Sequence, residues 1–297
     1  MCSKLFKAML AAGLLTSAAS VLASPISLPG GPLYIKYDNA EQYSNTNSIH
    51  TTDANGNAVT EGDWGVIQVS TISKGVILPP PGSDIATAGG SVFNDGGVGG
   101  HQITGIFYGT NSIAGTGNST GGVLDLYWQD VGVASIGTEL TAANNLLKRT
   151  AQNAYTGYAD PTGATMTFLG EFFFTPGCDS GGVNTICSGI IPGSGSASSY
   201  QDVNTAKVGA WTTTLDTNFF TLDALGAGLV PPADIRTDSN FSTNGAGLWN
   251  VAGTDIIGLS SRDPIRAFAT PEPGSLALIG LALVGFAFSG RRSRKQA

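Results

Sequence analysis

Between residues 24 and 270 the chain alternates short β-prone runs with clusters of Gly, Asn, Asp, Ser and Pro. The clearest runs are 33–37, 64–72, 102–109, 123–129, 165–174, 207–215 and 265–269. In the second, Trp64, Val66, Val69 and Ile72 fall on one face once a single bulge is allowed; in the fourth, Val123, Leu126 and Trp128 compete for the core. Period-two alternation between turn residues marks antiparallel sheets packed face to face, so the expected fold is mainly β, a jelly-roll-like antiparallel β-sandwich. One segment departs from the pattern. Residues 138–155 hold no Gly or Pro and place Leu140, Ala143, Leu146, Leu147 and Ala151 on a stripe of helical spacing, which predicts one amphipathic helix lying across the sheet. The Pro-, Gly- and Ser-rich stretches 78–91 and 189–199 are expected to be loops.

Both ends differ from this body. Lys4 and Lys7, an apolar centre at 10–15 and the small-residue exit Val21-Leu22-Ala23 predict a secretory signal peptide over 1–23, so residues 24–270 are expected to be an exported β-sandwich domain. That domain carries eight basic and twenty acidic side chains, a net charge near −12. An acidic surface repels phosphate backbones, which argues against nucleic acid and favours calcium or a cationic matrix. Its two cysteines, Cys178 and Cys187, bound a short glycine-rich loop, and in an exported chain such a pair predicts a disulfide.

The last segment, 271–297, is organised differently again. Thr270-Pro271-Glu272-Pro273 is an exposed, extended stretch, because each proline disfavours helix at the residue before it. Residues 274–290 then carry no charge, and as a transmembrane helix they would span about 25 Å, against roughly 30 Å of bilayer hydrocarbon. Arg291, Arg292, Arg294 and Lys295 follow, and basic residues stay on the cytoplasmic side. The order Pro-Glu-Pro, short apolar span, arginine cluster closely resembles the PEP-CTERM sorting signal of Gram-negative bacteria that make extracellular polysaccharide. The resemblance covers about 27 residues. It implies export through the secretion machinery and an inner-membrane intermediate held by the C-terminal helix. It further implies recognition by an exosortase, cleavage near Pro271 to Pro273, and delivery to the cell surface or the biofilm matrix.

Within the body, candidate chemistry is sparse. Asp179-Ser180-Gly181-Gly182 resembles the nucleophile turn of chymotrypsin-type proteases, with His50 and Asp84 in an order that permits a triad. The setting differs, since Cys178 and Val183 replace the flanking Gly and Pro. Glu61 and Asp63, beside Trp64, have a spacing open to a glycosidase pair, although a solvated turn leading into a strand is the plainer reading. The same stretch offers Asp53, Asn55, Asn57, Glu61 and Asp63 as candidate Ca²⁺ ligands without the spacing of an EF-hand. The other histidine, His101, reads as the polar residue opening a strand, and two isolated histidines give no transition-metal spacing. The 28 charged side chains in the body are few for acid–base catalysis, so a structural or adhesive surface protein, in contact with extracellular polysaccharide, is expected ahead of a secreted hydrolase acting on the matrix.

Overall fold

The computed structural model describes residues 26–95, 100–129, 135–161, 166–179, 182–189, 194–223, 226–243 and 246–270. The predicted signal peptide, Ser180 and the whole segment 271–297 lie outside the described residues. The strands in chain order are β1 (Gly31–Tyr43), β2 (Ile49–Thr52), β3 (Ala58–Glu61), β4 (Asp63–Leu78), β5 (Asp84–Asn94), β6 (Gln102–Ser112), β7 (Ser119–Gln129) and β8 (Arg149–Ala151). They continue with β9 (Ala154–Tyr155), β10 (Met166–Thr175), β11 (Ile186–Ser188), β12 (Ser194–Val203), β13 (Phe220–Leu222), β14 (Gly228–Ala233), β15 (Ile235–Ser242) and β16 (Ile257–Ala269). Two short helices, α1 (Ile136–Thr141) and α2 (Thr212–Leu215), interrupt them.

The fold is mainly β, as alternation predicts, but the sheet closes on itself where two facing sheets were expected. Eight strands run antiparallel in the order β1-β16-β15-β12-β10-β7-β6-β4, and β4 returns to pair with β1 from Asp63 to Lys74. β1 is therefore bonded along both edges, to β16 from Gly31 to Tyr43 and to β4. Closure removes both edges of the sheet. It depends on which strands pair at long range, and alternation along each strand carries no record of that. Inward glycines permit the curvature: a Cβ at Gly65 would lie 2.6 Å from Glu41 Cβ and 2.7 Å from the Ala40 carbonyl, and one at Gly105 would lie 2.5 Å from the Asp125 carbonyl.

Three cores follow from the pleat. Inward residues such as Leu33, Ile35, Ile67, Ile103, Leu126 and Phe172 fill one end of the barrel, with Trp211 and Leu215 closing the floor. Outward residues of β1, β4, β6 and β7, namely Ala40, Trp64, Val66, Ile106 and Tyr127, bury against Tyr155, Tyr158 and Trp249. A third, smaller cluster joins Ile85, Tyr200 and Phe220.

Two sequence expectations change here. The amphipathic helix over 138–155 is only α1 followed by a 3-10 turn at Asn145–Lys148 and the β8–β9 hairpin. Asn145 breaks it by bonding locally, accepting from the Leu146 amide at 2.7 Å and donating to the Glu139 carbonyl at 3.0 Å, and Leu147 of the predicted stripe is 79% exposed. The run 207–215 is a turn and α2, not a strand, and serves as the plug that carries Trp211 and Leu215. Conversely, β5 and β12 begin inside stretches expected to be loops.

Candidate functional site

The apolar filling of the barrel stops halfway. Along β1 the inward side chains change from Leu33, Ile35 and Tyr37 to Asn39, Glu41 and Tyr43; on β16 they change from Ala267 and Ile265 to Asp263 and Ser261. On β12 and β15 the equivalent inward positions are Ser199, Gln201, Thr237 and Ser239. Short polar side chains fill less space than Leu or Phe, and a cavity of about 180 Å³ is left in this half of the barrel. Its opposite wall is apolar, from Ile67, Phe107, Leu124, Phe174 and Ile186. Its rim, at Tyr43, Ser188, Phe241 and Thr243, is partly exposed, and Ile257 is 40% exposed.

The polar band is largely bonded to itself. Asn39 donates to Glu41 Oε2 at 2.8 Å and accepts from the Ser261 amide at 2.6 Å. Gln201 donates to Ser199 Oγ at 2.7 Å and accepts from Thr237 at 3.2 Å. Asp263 accepts from the Asn240 amide at 2.7 Å and from the Ser261 hydroxyl. Among the described residues two oxygens are left over: Asp63 Oδ1 is buried without a partner, and the Glu41 carboxylate is bonded only through Oε2, to Asn39. Burial, with the Asp263 charge nearby, raises the Glu41 carboxyl to about 8. Burial raises Asp63 well above the usual carboxylate range, with Glu41 and Glu61 adding to it. Asp263 is raised by burial to about 6, against hydrogen bonds from Ser261 and Asn240. No Lys, Arg or His stands among the described residues lining this cavity.

The disulfide frames one wall. Cys178 and Cys187 are joined, and Cys187 lies in β11, the three-residue strand that pairs with β12 and reaches Ser119 of β7. β10 pairs with β12 only from Phe172 to Thr175, so β11 fills the gap beyond. Asp179 clusters with the two sulfurs, but these are bonded to each other, and Asp179 accepts from Asn184 at 2.6 Å.

The remaining sequence candidates are dispersed. Asp53 spends its carboxylate on its own turn, accepting from the amides of Asn55 and Asn57 at 2.8 Å and from the Asn57 side chain at 2.9 Å. Those hydrogen bonds, first the one from the Asn57 side chain, lower its pKa. Glu61 lies at the far end of β3, about 10 Å along the strand from Ala58, buried in an ion pair with Arg149 and bonded to the Gly109 amide at 2.8 Å. Asp63 faces the cavity, so the five proposed Ca²⁺ ligands do not converge, and Glu61 and Asp63 serve different neighbours. Asp84 is taken by the Ile85 amide and Arg266, both at 2.8 Å, and His50 is an exposed residue of β2. His101 stacks on Trp128 one position ahead of β6, as the polar residue opening that strand. The lumen leaves only a faint trace in the sequence, polar residues two apart just beyond the β-prone run 33–37 and just ahead of 265–269, as in Asn39-Ala-Glu41 and Ser261-Arg-Asp263.

The fold and site define a closed antiparallel barrel with a lumen filled at one end and open at the other. Residues 269–292 match the family model of the PEP-CTERM protein-sorting motif, which takes in Pro271, Glu272, Pro273, Arg291 and Arg292. The motif marks an exported chain whose processing partner is an exosortase and whose destination is the surface or exterior of a Gram-negative cell. No curated protein matches the chain. Among the described residues no helix is long and apolar enough to cross a membrane, and the predicted span 274–290 lies outside them.

Proposed function

We propose that this chain is a non-catalytic surface or matrix protein: a barrel that an exosortase releases or attaches outside the cell, where it adds structure or adhesion to the extracellular polysaccharide of a biofilm. The observation that supports this most directly is the continuity of barrel and signal. The matched motif starts at Ala269, the last residue of β16, and Thr270 is still tied to the body through its amide, which donates to the Thr214 carbonyl at 2.8 Å. The signal thus follows the barrel without a linker, so what is sorted is the barrel itself. Pro271, Glu272 and Pro273 act as the extended handle, 274–290 as the span of the inner-membrane intermediate, and Arg291 and Arg292 as its cytoplasmic stop.

The alternative is a secreted hydrolase that uses Ser180 or the Glu61 and Asp63 pair on the matrix. The protein recovered from the cell surface is expected to take no label from a fluorophosphonate and to release no reducing sugar from matrix polysaccharide. Turnover of either kind, abolished by Ser180→Ala or Glu61→Gln, would reverse the reading.

A further inference from the structure

We propose that the barrel lumen is a binding site for a small organic cation, an amine on an aromatic or alicyclic body, with Glu41 as its counter-ion. Size comes first. The cavity measures about 180 Å³, and an enclosed apolar cavity of about 150 Å³ in another protein takes up benzene. A ring bearing a short side chain is the scale of ligand that fits.

Shape and chemistry select the class. One wall is apolar and the aromatic rings of Tyr37, Tyr43, Phe107, Phe174 and Phe241 line the space, which suits a hydrocarbon body and offers ring faces to a cation. The facing wall carries Glu41, which is 8% exposed, and Asp63, with Asp263 behind them. Glu41 Oε2 is held by Asn39, so the side chain is fixed, and among the described residues no hydrogen bond reaches Oε1 on this cavity-lining residue. Among the described residues no cationic side chain lines the space to answer these acids. An anion would meet two carboxylates with no cationic side chain among the described lining residues to offset them. A neutral sugar would have to compete with hydroxyls and amides already bonded to one another. A cation supplies what is missing.

The lumen acids also predict how binding depends on pH. Glu41 is faced by Asp263 from β16 and Asp63 from β4, and by Tyr37 and Asn39 on its own strand. With its carboxyl raised to about 8, Glu41 is mostly protonated in the empty barrel at neutral pH, and a cation entering beside it displaces that proton.

The test is calorimetric titration of the full chain with benzylamine, using benzyl alcohol and benzoate as neutral and anionic isosteres and CaCl₂ as an inorganic cation. Benzylamine is expected to bind at least about tenfold more tightly than either isostere. It should bind about tenfold more tightly at pH 8.5 than at pH 6.5, releasing a proton whose heat changes with the ionisation enthalpy of the buffer. Glu41→Gln should erase the preference for the amine and the pH dependence while leaving benzyl alcohol unchanged. Equal affinity for the alcohol or benzoate, no benzylamine heat at all, displacement of benzylamine by CaCl₂, or an unaltered Glu41→Gln titration would each overturn the assignment. The wild-type arms decide it even if the variant fails to fold.

Discussion

Arg149 shows how much one side chain can hold in this molecule. Its guanidinium is buried, paired with a fully buried Glu61, and sits 4.0 Å over the ring of Trp64, which in turn packs on Trp249 and Tyr155. Removing one partner of a buried pair leaves the other charge without compensation. Arg149→Met is therefore expected to cost about 3–5 kcal/mol in denaturant unfolding, whereas a change of 1 kcal/mol or less would mean that Glu61 is neutral or solvated. Buried acids set the pH response. An acid whose pKa is raised on folding binds its proton more tightly in the native chain, so the stability it contributes is present at low pH and is lost as pH rises through the folded value. Burial is the leading cause for all five groups concerned: Glu41 at about 8, Asp125 and Asp202 at about 7, Asp263 at about 6, and Asp63, raised well above the usual carboxylate range. Asp255, held to about 2 first by the Ser48 hydroxyl, acts in the opposite sense only in stronger acid. The melting temperature is expected to fall from pH 5.5 to pH 8.5, and Glu41→Gln is expected to flatten that slope. A melting temperature that rises over this interval would show these acids to be ionised in the folded state.

At the scale of elements, the short strand β11 is the piece most dependent on a single covalent link. It contributes only the pairs Ile186↔Ser199, Cys187↔Ser198 and Ser188↔Ala197 to β12 and one to β7, yet it lines the lumen. Replacing Cys178 and Cys187 by Ser is expected to cost about 2–3 kcal/mol by the chain-entropy argument for a loop of this length. The loss should show as faster amide exchange at Ile186 than at β1 or β16. Equal protection in the two forms would mean that the ladder holds β11 unaided. Parts of this architecture were legible in the sequence. The runs around Trp64, Ile103 and Leu124 are strands, as their apolar spacing predicts, but both faces are buried: Trp64 and Val66 belong to the outer cluster and Val69 and Ile72 to the inner one, so the four do not share a face. The stripe from Leu140 to Ala151 misled because its spacing fits a helix while Asn145 satisfies the backbone locally and ends it. Closure was not legible, since the β1–β4 register joins residues that only long-range pairing brings together. The lumen was hidden for a related reason: Glu41, Asp63 and Asp263 lie far apart in sequence and meet only because three paired strands place them on one inner face.

For the whole molecule, the arrangement of the two ends of the barrel links fold to sorting. Gly31 pairs with Ala269, so the body begins and finishes at the same end, and α2 anchors both flanks there. The Trp211 indole donates to the Ile26 carbonyl at 3.0 Å, and the Thr270 amide to Thr214 at 2.8 Å. The lumen rim at Tyr43 and Ile257 lies at the other end of β1 and β16, about 40 Å away along the strands. A chain held by its sorting tail would therefore present the lumen outward, away from the point of attachment. Loss of Glu272 is expected to disturb sorting without touching the barrel: Glu272→Ala should leave the melting temperature unchanged and the protein mislocalised, and normal surface levels of that variant would remove the handle from the account. The most direct measurement is the intact mass of the surface form from an exosortase-competent host. A chain that finishes between Pro271 and Pro273, without residues 274–297, is the predicted result, and a surface form with the full tail still attached would contradict it.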